Sequence, residues 1–250
     1  MLRPGEGPSQ IQKWYSRLAP LIASGRERLR GIAPPELARR SGCTVDPGGA
    51  LRLACFGQEY LIPPLHPIPP LPPDWQEPSE FIQALLITYL VTADGTPPSG
   101  RWIAYRDLPG GMFYAQAFHG YAEVRLVREL EEEELNAEPQ RHPRGRGLEQ
   151  QRTQRPSPRG EGLAAFCRGA ERIGGEPIAI GSAGYAFQAL PRIRLAAAYW
   201  LGDEELSAQA SILFEDTAPH YMSTDGLAVL GSHLVGAIVQ AARLGSSVVG

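Results

Sequence analysis

A two-residue alternation of apolar side chains, broken once by an acidic turn, constrains this chain more than any other feature. In the stretch from Gly181 to Asp225, GSAGYAFQALPRIRLAAAYWLGDEELSAQASILFEDTAPHYMSTD, the residues Ile193, Leu195, Ala197, Tyr199 and Leu201 fall at every second position. Successive side chains of an extended chain point to opposite faces, so this set lines one face of a strand while Arg192 and Arg194 leave the other. Gly202-Asp203-Glu204-Glu205 interrupts the run with turn-forming and charged residues, and Ala208, Ala210, Ile212 and Phe214 then resume the same period. The pattern predicts a hairpin with one face committed to a core. Tyr185, Phe187 and Ala189 alternate upstream as far as Leu190-Pro191. Proline cannot donate to a ladder, so a third strand precedes the pair across a tight corner, giving an antiparallel meander.

Acidic residues flank the second strand, Asp203/Glu204/Glu205 before it and Glu215/Asp216 after it. A strand rises about 3.3 Å per residue, which holds the two groups roughly 20 Å apart and argues against one shared metal site. Antiparallel pairing brings Glu215 and Asp216 toward Arg192 and Arg194 instead, where surface ion pairs worth under about 1 kcal/mol account for them.

The rest of the chain supplies helices and a smaller sheet. After a polar leader (1–8), Ile11, Tyr15, Leu18 and Ile22 fall near helical spacing, with Pro20 expected to kink the element, and a short helix follows over Pro35 to Arg40. Val45, Leu51, Leu53, Cys55, Tyr60 and Ile62, separated by turn residues, predict a small sheet. Ile62 to Asp74, IPPLHPIPPLPPD, holds seven prolines and predicts an extended strap, a rigid connector or a PxxP ligand; His66 within it has no partner at ligand spacing. Residues 9–74 thus make an N-terminal helix–sheet lobe with its strap. Pro78-Ser79 opens a helix that is apolar nearly all round and is expected to be central.

Trp102, Ile103 and Tyr105 suggest a brief extended segment before Leu108-Pro109-Gly110-Gly111, where the glycine pair either shapes a pocket or forms a packed turn. Met112 to Leu135 predicts one helix, with Phe113, Phe118, Tyr121, Val124, Leu126 and Val127 on its apolar side, Gly120 a weak point, and a solvated run at Glu129 and Glu131 to Glu134. Residues 136–162, with six arginines and almost no apolar side chains, predict a disordered insertion. A helix over Leu163 to Ile173, a strand over Ile178 to Ile180, and a helix from Asp225 carrying Leu227, Leu230, Leu234, Ile238 and Ala241 complete the chain. His233 on that last helix is expected at the core or its boundary. The predicted fold class is α+β: an antiparallel β-meander packed against the helices from Ser79 and Asp225 (75–135 and 163–246), with the N-terminal lobe attached.

Length and charge narrow the function classes. A chain of 250 residues can bury a sizeable core without staples, and a net charge of −3 with a single lysine, Lys13, implies no nucleic-acid partner. Cys43, Cys55 and Cys167 stand far apart without CxxC or Cys/His spacing, which predicts reduced thiols and no metal ligand set. The N-terminus MLRPGEGPSQ has no apolar h-region and no run reaches the length of a membrane span, so a soluble, cytoplasmic protein is expected.

The phrases GRWIAYRDLPGG (Gly100 to Gly111), LPRIRLAAAYWLGDEEL (Leu190 to Leu206) and SILFEDTAPHYMSTDG (Ser211 to Gly226) resemble the uncharacterised bacterial and archaeal proteins grouped as domain-of-unknown-function family 3786. The resemblance covers most of the chain outside the leader and the Arg-rich segment, and its best motif is the aromatic–Gly-Asp-Glu-Glu turn. It implies an aromatic and a proline where this chain has Leu206-Ser207. Some relatives carry a cysteine-rich iron–sulfur region that this sequence does not contain. The resemblance brings no activity and no cofactor with it.

The residues themselves support three readings. A ligand-binding or accessory domain would use a pocket bounded by Trp102, Arg106, Trp200, Asp203 and Glu205, taking a small molecule at one end of the sheet. A metal-assisted or acid–base enzyme would draw a ligand or base from Asp203 and Glu205 and hold an anionic substrate with Arg106, although no HExxH, Ser/His/Asp or Cys/His constellation accompanies them. An assembly protein would meet a protein partner through the proline strap or the Arg-rich insertion. The first fits best, with no catalytic residue or cofactor assigned.

Overall fold

The alternating stretch from Ala183 onward builds the long strands of a five-stranded antiparallel sheet. The computed structural model describes residues 18–63, 78–137, 158–203 and 205–244, and these form an α+β protein that divides into two compact units. One unit takes the chain up to Gly100 with Gln188–Ile193 and Asp216–Gly226; the other takes Arg101–Phe187, Arg194–Glu215 and the chain from Leu227. The polar leader with Ile11 and Tyr15, the proline strap from residue 64 with His66, residues 138–157 of the insertion, and Glu204 lie outside the described residues.

The first unit contains α1 (Leu18–Arg30), α2 (Pro34–Ser41), the small sheet β1 (Thr44–Val45), β2 (Leu51–Cys55) and β3 (Gln58–Ile62), and α3 (Glu80–Thr92). Pro20 lies in the first described turn of α1, where a missing N–H removes no intrahelical bond, so the expected kink is not needed. Pro34-Pro35 opens α2 and Gly42, at φ 72°, closes it. β2 alternates buried and exposed residues, and Phe56-Gly57 turns it back into β3. Ser79 caps α3 by accepting the N–H of Ile82 at 3.4 Å. The apolar circumference of α3 is buried at Leu85, Leu86, Ile87, Tyr89 and Leu90, and α1 packs on it where Gly25 leaves room for Ile87. This helix, expected with the meander, is therefore grouped with the N-terminal elements. The hydroxyl of buried Tyr89 donates to the Ser41 carbonyl and accepts the Arg192 N–H at 3.0 Å.

The remaining elements, most of whose residues lie in the second unit, begin with β4 (Trp102–Ala104) and two 3-10 turns at Tyr105–Asp107 and Gly111–Phe113. A continuous helical stretch follows: α4 (Ala115–Phe118), a π-helical segment (His119–Val124) and α5 (Arg125–Ala137). Then come α6 (Pro158–Arg172), β5 (Glu176–Pro177), β6 (Ala183–Leu190), β7 (Ile193–Trp200), β8 (Gln209–Glu215) and α7 (Thr224–Arg243). The sheet order is β4-β8-β7-β6-β5, so the expected three-strand meander forms its centre and two short strands extend its edges.

Several expectations change here. The hairpin is buried on both faces, since Ala196 and Ala198 are as inaccessible as Leu195, Ala197 and Tyr199; alanine on the second face lets covering segments approach closely. Glu215 is 1 % exposed and not a surface residue, while Arg194 pairs with Glu176 at 2.9 Å and lies 5.8 Å over the Trp102 ring. The predicted strand over Ile178 to Ile180 is instead the two-residue β5, whose Pro177 is tolerated at an edge. Residues 136–137 and 158–162, expected within the disordered insertion, are helical instead, because α5 runs to Ala137 and Pro158 opens α6, a position where proline is pre-organised.

The helix predicted from Met112 begins later, and of its expected apolar side Phe118 and Leu126 are buried while Phe113, Tyr121 and Val124 are not. Phe118, Ala122, Leu126 and Leu130 are at most 1 % exposed, whereas Phe113, Tyr121 and Val124 are 87, 44 and 46 % exposed. The π-helical segment contains Gly120, the residue marked as weak. α6 meets the sheet through Phe166, stacked on Tyr199 at 5.5 Å and edge-on to Tyr185 at 5.8 Å. α7 is the one described helix long and apolar enough to cross a membrane, and Leu227, Leu230, Leu234 and Ile238 on it are fully buried. His233, expected at the core or its boundary, is on the exposed side of α7.

Candidate functional site

A groove of about 1000 Å³ opens in the second unit, and its construction follows from a mismatch in strand length. β4 is only three residues long and pairs with Leu213, Phe214 and Glu215. β8 continues for four more residues, Gln209 to Ile212, paired with β7 on one side and with no described strand on the other. After Ala104 the chain leaves the ladder: the Asp107 carboxylate accepts the Ala104 N–H at 3.3 Å, and the 3-10 turn begins. The unpaired length of β8, with Ser207 and Ala208 before it, forms one side of the groove.

The opposite wall is the helical stretch from Ala115. Its buried stripe, Phe118, Ala122, Leu126 and Leu130, is anchored by Phe118, whose ring stacks on Tyr105 at 4.2 Å and meets Phe214 at 5.8 Å. One position further along lie His119, Glu123, Val127 and Glu131, again at four-residue spacing, and this second stripe faces the groove together with Val124 and Arg128. Helical geometry thus makes the wall a direct consequence of the core stripe.

Glu123 ties wall to floor. One carboxylate oxygen accepts the Ile212 N–H at 3.0 Å, and the other lies 2.7 Å from His119 Nδ1. The side chain of Glu123 is 13 % exposed and that of His119 is 59 % exposed. A strand N–H that would have gone to a longer β4 is satisfied by a carboxylate instead. Both residues sit on the π-helical segment, a geometry that recurs at functional sites because it displaces side chains from the regular helical register.

Arg106 lines the mouth of the groove, carried on the turn Tyr105–Asp107, and makes no ion pair among the described residues. The glycine pair predicted to shape a pocket or pack a turn does the latter: Gly110 has φ 74°, and any Cβ on Gly111 would overlap the Tyr105 carbonyl. That contact fixes the turn from which Arg106 projects. At the far end, Glu131 lines the groove and, after burial, is the second cause that raises the Tyr199 hydroxyl to about 12.

Of the five residues proposed from sequence, Arg106 alone lines the groove. Trp102 pairs with Glu215 and Trp200 with Gln209, so the two indoles stand at opposite ends of β8, roughly 20 Å apart at the usual rise per residue. The Asp203 carboxylate closes the turn, accepting the N–H groups of Glu205 at 2.9 Å and Leu206 at 2.8 Å, while the Asp203 N–H donates to the Leu206 carbonyl at 2.9 Å. Glu205 is exposed on that turn. The turn therefore delivers Ser207 and Ala208 to the groove without its carboxylates lining it. Among the described residues no cluster of three or more His, Cys, Asp or Glu side chains is placed to hold a metal ion. His119 and Glu123 were missed, and the available signal was their four-residue spacing on one helix face.

Comparison with known proteins agrees with the sequence phrases that first suggested a family. No curated protein and no solved structure matches the chain. The family model described as Domain of unknown function (DUF3786) matches residues 33–135 and 159–237, which include every residue named in the groove. The match spans well over half of the chain, and the protein belongs to the DUF3786 family.

Proposed function

We propose that this protein is a ligand-binding or accessory domain whose binding surface is the groove beside the Gly-Asp-Glu-Glu turn. The carrying observation is the groove itself: the part of β8 that runs past the end of β4 faces a π-helical wall beside a space of about 1000 Å³. Arg106 and Arg128 suit an anionic or carboxylate-bearing ligand, and Val124 and Val127 provide apolar surface. The acidic turn is poorly disposed for metal chemistry, because the Asp203 carboxylate is already engaged by two backbone N–H groups. A cytoplasmic location belongs to the same proposal, consistent with free Cys43 and Cys55 buried in the first unit.

A protein-partner role has its own support. Met112, Phe113 and Tyr114 are 69, 87 and 60 % exposed, and they lead directly into Ala115 at the end of the groove. Consecutive exposed apolar residues of this size are uncommon away from contact surfaces.

A thermal-shift panel of dicarboxylates, phosphorylated metabolites and short peptides tests the proposal, run on the wild type and on Val127→Trp, which fills the groove. At least one class should raise the melting temperature of the wild type and leave the variant unmoved. A panel that shifts neither protein, or both equally, contradicts it.

A further inference from the structure

We infer that the groove is a site of acid–base chemistry as well as of binding: His119 Nε2, on a ring held by Glu123, moves a proton on a 2-oxo carboxylate anchored by Arg106. This rests on the groove being the binding surface, and it specifies what is bound there and what is done to it.

The orientation of the imidazole carries the inference. An ionised carboxylate can only accept hydrogen bonds, and that of Glu123 takes two: the Ile212 N–H at 3.0 Å on one oxygen, and His119 Nδ1 at 2.7 Å on the other. Nδ1 therefore carries the ring proton, and in the neutral ring Nε2 holds the lone pair. Nε2 has no partner among the described residues, and the ring, 59 % exposed, lines the groove. On an ordinary helix surface a histidine meets a glutamate one turn away that is itself free to swing. Here the glutamate is 13 % exposed and bonded to the backbone of β8, an element outside its own helix, so the sheet sets the direction of the ring.

The neighbours of the ring choose the substrate class. Arg106 lines the same groove and makes no ion pair among the described residues, which suits it to a carboxylate. No described serine, threonine or cysteine is hydrogen-bonded to His119, so the pair has no nucleophile to activate, and the reaction open to it is removal and return of a proton. A 2-oxo carboxylate offers both halves of that arrangement: an anion for Arg106 and an acidic C–H at C3, beside the carbonyl. The C–H bond breaks as the N–H bond forms at Nε2, and the released pair moves through C3 and C2 onto the carbonyl oxygen to give an enolate. The imidazolium then returns a proton to C3, so no further reactant is consumed. In heavy water the same cycle replaces the C3 hydrogen by deuterium.

The test incubates the whole protein in heavy water with pyruvate, 2-oxobutyrate or 2-oxoglutarate and follows loss of the C3 proton signal by NMR. At least one should exchange about 100-fold or more faster than with free imidazole at the protein's concentration. His119→Ala should return exchange to background, and Arg106→Ala should raise the KM about tenfold. Nitrogen-15 shifts of the labelled ring read the orientation without any substrate: the proton should sit on Nδ1 in the wild type and on Nε2 in Glu123→Gln. The glutamine carbonyl can keep the Ile212 bond while its amide donates to Nδ1, so this variant should slow exchange about tenfold or more with the ring in place. If Glu123→Gln fails to fold, His119→Ala, which removes only an exposed ring, still decides. Exchange that survives His119→Ala, or a wild-type ring protonated at Nε2 alone, overturns the assignment. No exchange while groove amide resonances still shift overturns the acid–base role and leaves the groove as a ligand site. No exchange and no shift overturns that role and the groove as an anion site together.

Discussion

Replacing Glu123 by leucine tests how the groove is held open. Leucine keeps the size and helix propensity of the position but removes both acceptors. The bond from the Ile212 N–H, 3.0 Å to an ionised oxygen that is mostly shielded from water, is worth about 1.5–3 kcal/mol. The contact to His119 at 2.7 Å is worth under about 1 kcal/mol, because that imidazole is 59 % exposed. Glu123→Leu should therefore destabilise the protein by about 2–4 kcal/mol and His119→Ala by under about 1 kcal/mol. Urea unfolding followed by tryptophan fluorescence gives the totals, and a chain of two compact units requires a check that the transition is two-state. Amide exchange reads the cause directly: protection at Ile212 should fall in Glu123→Leu and persist in His119→Ala. Equal losses in the two variants, or unchanged Ile212 exchange in Glu123→Leu, would refute the tie between wall and floor.

Other outcomes follow from single groups. The Tyr199 hydroxyl is fully buried with no hydrogen-bond partner among the described residues, so Tyr199→Phe should keep or raise stability, by about 1 kcal/mol, and a clear loss on urea titration contradicts this. Burial pushes the Cys55 thiol up to about 12 and the Cys43 thiol upward, so neither should react with a disulfide reagent at pH 8 until the protein is unfolded; rapid native labelling of either contradicts their burial. For Asp94, burial raises the pKa, but hydrogen bonds from His220 and Thr96 outweigh it and hold the carboxyl at about 2. That depressed value adds stability above the unfolded pKa near 4, which is lost as pH falls toward about 2. Because the side chain is half exposed, the amount is under about 1 kcal/mol, and the wild-type advantage over Asp94→Asn should fade between about pH 4 and pH 2; an advantage that grows in acid contradicts the sign.

The parts of the fold that could be read from sequence are those with long periods. β6 to β8 declared themselves by strict alternation, α3 by Ser79 and its apolar run, and α2 by prolines at one end and Gly42 at the other. Two-residue and three-residue strands carry too few positions for a period, so β4 and β5 could not be placed as the sheet's edges from residues 102–104 and 176–177 alone. That limitation carried over to the site. Trp102 and Trp200 were expected to converge, and only the register of β4 against β8 separates them. Arg106 was found because it lies on a turn beside a glycine pair, and Asp203 was chosen for its charge although its carboxylate serves the turn. Glu123 went unread because it lies within a helical pattern whose apolar members, Tyr121 and Val124, suggested the wrong buried face.

The most direct measurement is the amide-shift map of the isotope-labelled protein, titrated with the strongest binder from the thermal-shift panel. Binding beside the acidic turn predicts that resonances of Ala208 to Ser211, Arg106 and the His119 to Arg128 wall move together, with those of α3 unmoved. Shifts centred on Trp102 and Glu176, or confined to the first unit, would contradict it.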